Sequence, residues 1–154
     1  MFVKYPHIER LGNDEVTDIL DGTCLVFPKI DGTNASVWQE DGQIKAGSRR
    51  RELTTDDDNA GFYVWVLTCD AAKPIADYLT RHPNHTLYGE WLVPHSLKTY
   101  RADAWRRFYV FDILDREAEM SLANSTTCPS SHRQDHQRRF VFYQERNERC
   151  LFTS

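Results

Sequence analysis

The dipeptide Asp41-Gly42 constrains this chain more than any other feature. Asp-Gly favours the positive-φ geometry of a two-residue hairpin turn. It stands between residues 35–39 and 43–47, both readable as strands, so the chain must double back there. Residues 24–27 form another short apolar run, followed by a turn-like stretch from Pro28 to Asn34. Strand, polar loop, strand, tight turn and strand therefore follow one another. Residues 87–93 and 108–114 are aromatic and β-branched, which predicts two more strands. Between these blocks, Phe62, Trp65, Val66 and Cys69 recur at helical spacing, and Ile75, Tyr78 and Leu79 continue an apolar face. Asp56, Asp57, Asp58 and Asn59 precede this region and are expected to form the start of the helix, through capping and the helix dipole. Pro74 predicts a break near Asp70, since proline is tolerated only in a first helical turn. His82-Pro83-Asn84 ends the helical part. The pattern predicts an α+β fold dominated by antiparallel strands with a helical insert, and no internal repeat.

With 154 residues the chain suits one domain with its own core. No apolar run reaches the roughly 18 residues a membrane span needs. Residues 1–10 carry Lys4, Glu9 and Arg10 and have no hydrophobic segment of the kind a signal peptide requires. The expectation is a cytoplasmic protein that does not enter membranes. Cys24, Cys69, Cys128 and Cys150 are widely spaced, with no Cys-x-x-Cys pair, so they are expected to be buried small hydrophobes rather than a zinc site or disulfide framework. A net charge of -4 argues against a generic nucleic-acid coat but leaves room for a local basic groove. Arg49, Arg50 and Arg51 form one basic cluster. Lys98, Arg101, Arg106 and Arg107 form another, suited to phosphates of a nucleotide or polynucleotide, or to a solvated face.

The chemistry lies in Lys29-Ile30-Asp31-Gly32-Thr33-Asn34. A glycine lets backbone approach a phosphate or base closely. A carboxylate and an amide can hold a metal or its waters. A neutral lysine amine is a nucleophile. Alone, the tetrad Lys-x-Asp-Gly fits a structural turn as well as a site. Three further motifs follow in order: Ser48-Arg49-Arg50-Arg51, Tyr88-Gly89-Glu90-Trp91, and Phe108-Tyr109-Val110-Phe111-Asp112-Ile113.

In this order and spacing the four motifs resemble those of the covalent nucleotidyltransferase superfamily of polynucleotide ligases and capping enzymes. Phe27-Pro28-Lys29-Ile30-Asp31-Gly32-Thr33-Asn34-Ala35-Ser36 and Leu87-Tyr88-Gly89-Glu90-Trp91-Leu92 are most similar to the RNA ligase branch, of the phage T4 RNA ligase 2 type. The resemblance covers residues 24–114. It implies an antiparallel-sheet nucleotidyltransferase fold (ATP-grasp-like ligase adenylation), with residues 1–114 as a partial adenylation domain. It implies ATP as AMP donor, Mg²⁺ or Mn²⁺ as cofactor, and RNA or other polynucleotide ends as partners in end joining or repair. Lys29 matches the nucleophile that forms lysine–AMP. Ile30, Asp31, Gly32 and Asn34 match the rest of that motif, Arg49 a ribose- and phosphate-binding arginine, Glu90 a ribose- or metal-binding carboxylate, and Phe111 the aromatic that stacks on adenine. Asn34 and Glu90 match the positions nearest the metal. Asp112 matches a supporting position.

The chain departs from the family in places. It contains no Glu-Gly pair and no lysine after Lys98, so the family's Glu-Gly and Lys-x-Lys motifs are absent. No glycine follows Gly89. Residues 115–154 are expected to be an atypical tail, disordered or non-native, leaving the fold incomplete at its C-terminus, with one short strand at residues 139–143. The resemblance implies two alternatives: a catalytically inactive nucleotide- or RNA-binding remnant, and a capping-like guanylyltransferase, which the wording around Lys29 and Glu90 disfavours. His82, His85 and His95 are expected to be surface or satisfied polar residues. The four tryptophans are expected to pack.

Overall fold

Asp41 and Gly42 turn the chain back on itself, with φ values of 51° and 74°. Both central residues are left-handed, as a tight hairpin with the strands' own twist requires. The turn joins β2 (Thr33–Glu40) to β3 (Gln43–Ser48) and sets the register, with Glu40 opposite Gln43 and Ala35 opposite Ser48. The computed structural model describes residues 1–8, 10, 12–14, 25–118, 120–122 and 140–143. The stretch 123–139, expected as loop, lies outside them, as do Cys24, Cys128 and Cys150. Cys69 is half-buried, with a free thiol.

Two sheets form among the described residues. β4 (His85–Trp91) pairs with the other edge of β2, β5 (Phe108–Asp115) with β4, and β6 (Met120–Ser121) with β5. All of these pairings are antiparallel. β1 (Leu25–Pro28) stays out of this five-stranded sheet and pairs in parallel with β7 (Phe140–Tyr143), Leu25 opposite Phe140. The α+β class expected from the sequence is the class observed.

The helical insert breaks where Pro74 requires. α1 (Phe62–Thr68) is followed by a short 3₁₀ turn, Asp70–Ala72, and then by α2 (Lys73–Arg81), which accommodates Pro74 in its first turn. Phe62, Val66 and Leu79 are buried against Val37, Ala46, Leu87 and Trp91 of the sheet. Ring centroids lie 5.4 Å apart for Phe62–Trp91, 5.0 Å for Phe62–Phe108 and 5.1 Å for Trp65–Trp91. Trp91 Nε1 donates to the Ala60 carbonyl at 3.2 Å, so the buried indole N–H is satisfied. Burying a side chain such as Phe62 contributes roughly 1.5–3 kcal/mol.

The opposite face of the sheet is covered by the N-terminal segment, residues 1–8. Phe2 packs on Trp38 at 5.9 Å, Tyr5 on Tyr88 at 4.8 Å, and Tyr88 Oη donates to the Val3 carbonyl at 2.8 Å. This is why residues 35–38 of β2 are buried in succession, although strand side chains alternate between faces.

The acidic run does not start the helix. Asn59, Ala60 and Gly61 intervene with φ of 54°, 59° and 85°. Gly61 is the N-cap of α1, no side chain caps it, and its first turn has no acidic residue. Asp57 instead takes Arg51 Nε at 2.5 Å and its Nη2 at 2.6 Å, and Asp58 Oδ1 accepts from Gly61 N–H at 2.9 Å. The carboxylates shape the left-handed turn that feeds α1, which removes them from the helix axis. No described helix is long and apolar enough to cross a membrane.

Candidate active site

A cavity of about 980 Å³ opens between the turn after β1, the outer end of β4, the strand β5 and the N-terminal segment. Lys29, Ile30, Asp31, Gly32, Asn34, Arg49, Glu90 and Phe111 all line it. The eight residues singled out from four separate motifs thus share one wall-to-wall space. Tyr5, His7, Ile8 and His95 line it as well, and the motifs did not indicate them.

Its floor is built from backbone. Gly32 N–H donates to Glu90 Oε1 at 3.2 Å. Asn34 and Glu90 are cross-strand partners on β2 and β4, so their side chains share a face. A Cβ at position 32 would sit 2.2 Å from the Trp91 carbonyl oxygen, so only glycine permits this approach. Burial pushes the Glu90 carboxyl above its ordinary range, against the opposing pull of the Gly32 N–H and the Lys29 charge. Lys29 itself is exposed, immediately after β1, and its charge acts on both Asp31 and Glu90.

Asp31 has a different task from its neighbours. It is buried, and its carboxylate faces the loop after β4. Oδ2 accepts from Leu97 N–H at 2.6 Å, and Oδ1 stands 3.3 Å from His95 Nδ1. The Asp31 N–H donates to Tyr100 Oη at 2.9 Å. Burial opposes its ionisation, but the Leu97 N–H and His95 outweigh that and hold the carboxyl below its usual value. His95 is exposed, as expected, yet it belongs to this site. His85 matches the satisfied reading, with Nδ1 2.8 Å from Tyr78 Oη.

Phe111 is presented by an irregularity in β5. Tyr88 is opposite Asp112 and Gly89 is opposite Val110, so Phe111 is the residue left over in the register. Such a bulge re-aims a side chain. Here it turns Phe111 and Asp112 to the same side. The Phe111 ring meets Tyr5 edge-on at 5.2 Å, and Asp112 Oδ2 accepts from Tyr5 Oη at 3.0 Å. Arg49 reaches the cavity just past β3, Arg50 is exposed, and Arg51 is committed to Asp57.

No group of three or more His, Cys, Asp or Glu that could hold a metal ion occurs among the described residues. The donors at hand are the half-buried carboxylate of Glu90 and the amide of Asn34. That set fits an ion such as Mg²⁺, which takes one or two carboxylates and completes its shell with phosphate oxygens and water.

The sequence model of the RNA ligase family matches residues 22–152. The chain belongs to the RNA ligase family. Among solved structures, this RNA ligase chain is similar to Naegleria gruberi RNA ligase with PPi, at 22% identity and a TM-score of 0.45. It is also similar to two alanine mutants of that ligase, one with ATP and Mn at 21% and 0.45, and one with AMP and Mn at 24% and 0.46. In each case the match covers 62% of this chain and 27% of the other. The RNA ligase chain therefore spans about a quarter of the length of these structures. No curated protein matches it.

Proposed function

We propose that this chain carries the lysine-adenylylation site of an ATP-dependent RNA ligase acting in cytoplasmic RNA end joining and repair. The carrying observation is that the residues of four separated motifs line one cavity. In the proposed step the lone pair of Lys29 Nζ attacks the α-phosphorus of ATP. An N–P bond forms, the bond to the bridging oxygen breaks, pyrophosphate leaves, and the amine loses its proton to give lysine–AMP.

The residues divide the work. A free lysine has a pKa of about 10.4, so only about 1 in 1,000 is neutral near pH 7.4. Gly32 lets the turn lie close to the nucleotide, and Ile30 and Phe111 offer apolar surface to adenine. Stacking on Phe111 is worth roughly 1–3 kcal/mol. Asp31 fixes the turn against the loop after β4. Glu90 and Asn34 would hold Mg²⁺ or Mn²⁺, or the ribose. When bound, such an ion offsets phosphate charge. Residues 1–114 form the adenylation unit in this reading, and residues 115–154 add β6 and β7, which pair with its strands β5 and β1.

The test is incubation with α-labelled ATP and Mg²⁺ or Mn²⁺. An acid-labile protein label that Lys29→Ala abolishes is expected. A second reading, a nucleotide- or RNA-binding module without the chemistry, draws on the absence of any Glu-Gly pair and of any lysine after Lys98. Retention of ATP binding with no label would establish that second reading and overturn the first. Label from GTP alone would point to a capping-like enzyme.

A further inference from the structure

The segment between β4 and β5 is a closed loop tied to the turn that carries Lys29. At its base, Leu92 N–H donates to the Arg107 carbonyl at 3.0 Å and Arg106 N–H to the Leu92 carbonyl at 2.8 Å. Midway, Leu97 N–H and Tyr100 Oη engage the carboxylate and the N–H of Asp31 at 2.6 and 2.9 Å. The loop is chemically distinct from the rest of the chain. Lys98, Arg101, Arg106 and Arg107 are exposed there against one carboxylate, Asp103, while the whole chain is net -4. Arg101 pairs with Asp103 at 2.8 Å, but both groups are largely in water, where such a pair is weak and exchangeable. Among these cations stand Tyr100 and Trp105, ring centroids 5.4 Å apart and edge to face, both half-buried.

Cations interleaved with aromatic faces are the chemistry that takes a phosphodiester backbone together with unpaired bases. A local positive surface on an acidic protein also concentrates a polyanion at that place. We infer that residues 98–107 are the docking surface for a single-stranded RNA end. Through Asp31 that surface is braced against the turn of Lys29, so an RNA end seated there lies beside the site of adenylylation. The inference rests on the ligase reading for its purpose, but its measurement does not depend on lysine–AMP forming.

The test is binding of a fluorescent single-stranded RNA oligonucleotide to the full chain over a range of salt. Four variants accompany the unaltered chain: Lys98→Glu, the double variant Lys98→Glu/Arg107→Glu, Trp105→Ala, and Lys73→Glu on α2 as a control that matches the charge change of Lys98→Glu. Lys98 makes no hydrogen bond or ion pair among the described residues, so its substitution tests binding even where Arg107→Glu disturbs the fold. The double variant should lose at least about 10-fold in affinity, and its slope of log K against log salt should flatten by roughly 0.7 for each phosphate deprived of its cation. Trp105→Ala should weaken binding with an unchanged slope. Lysine–AMP formation should be unaltered in Lys98→Glu, and its absence from every protein would overturn the ligase reading alone. The inference is overturned if the unaltered chain binds no RNA, or if Lys98→Glu and the double variant bind as Lys73→Glu does. It is also overturned if they weaken the use of ATP but not RNA binding, because the loop would then grip the triphosphate.

Discussion

Tyr5 and Phe111 meet edge to face at 5.2 Å, while the hydroxyl of Tyr5 donates at 3.0 Å to Asp112, the very next residue. One side chain from the N-terminal segment therefore holds two consecutive residues of β5, which a regular strand would send to opposite faces. The bulge makes this possible. Burial, and after it the Asp112 charge, raises the Tyr5 hydroxyl well above its ordinary pKa, so it stays a donor throughout the working range.

Tyr5→Phe should keep the ring against Phe111 and lose the hydrogen bond. Leaving the buried Asp112 carboxylate short of a donor costs about 1–3 kcal/mol. At about 2–4 °C per kcal/mol for a chain of this size, a drop of several degrees in Tm is expected. Tyr5→Ala should lose more, and should also weaken ATP binding. Equal melting of Tyr5→Phe and the unaltered chain would show that the bond contributes nothing.

Gly32→Ala should nearly abolish lysine–AMP formation. The added Cβ would lie 2.2 Å from the Trp91 carbonyl oxygen, which belongs to β4 and cannot yield cheaply. Displacing the turn moves Lys29, and misplacement of about 1 Å can cost about 10²-fold in rate. Labelling with α-labelled ATP measures this, and full activity would mean that the turn relaxes freely.

Phe111→Leu should raise the ATP concentration needed for half-maximal labelling by about 10-fold, within the range that a lost base stack of roughly 1–3 kcal/mol allows. Burial of a leucine in its place keeps the fold, so the melting temperature should change little. An unchanged ATP dependence would move the adenine elsewhere in the cavity.

Glu90 and Asp31 should respond to pH in opposite senses. Glu90 is raised in the fold, so the folded state binds the extra proton and its ionisation costs stability as pH rises through the folded pKa. Glu90→Gln should therefore be relatively more stable at neutral pH, and the difference should vanish below about 4.5, its unperturbed value. Asp31 is lowered, so its contribution is present above 3.8 and is lost as pH falls through the folded pKa. Asp31→Asn should be less stable at pH 7 and converge with the unaltered chain in acid. Denaturant melts at several pH values read both, and parallel pH profiles for the two variants would contradict the assignment.

The hairpin was legible because Asp41-Gly42 acts locally, and the break before α2 because Pro74 does. That the motif residues belong together was legible because motif order carries them, although nothing local explains why they line one cavity. Three features were not legible. Tyr5 lies 107 residues from Asp112, and no spacing rule spans that distance. The bulge at Phe111 is hidden in Phe108–Ile113, where an almost uninterrupted apolar run gives no register signal. Asp31 reads as a site carboxylate from its neighbours, yet its partners are a backbone N–H and a histidine some 65 residues on. The acidic run misled because three left-handed residues separate it from α1, and capping rules assume direct entry.

The strands flanking Lys29 belong to different sheets, β1 to the parallel pair with β7 and β2 to the five-stranded sheet. The amine thus hangs on a short bridge between two independently hydrogen-bonded bodies. The backbone position of Lys29 therefore depends on strand pairing at Phe140–Tyr143, more than a hundred residues away along the chain.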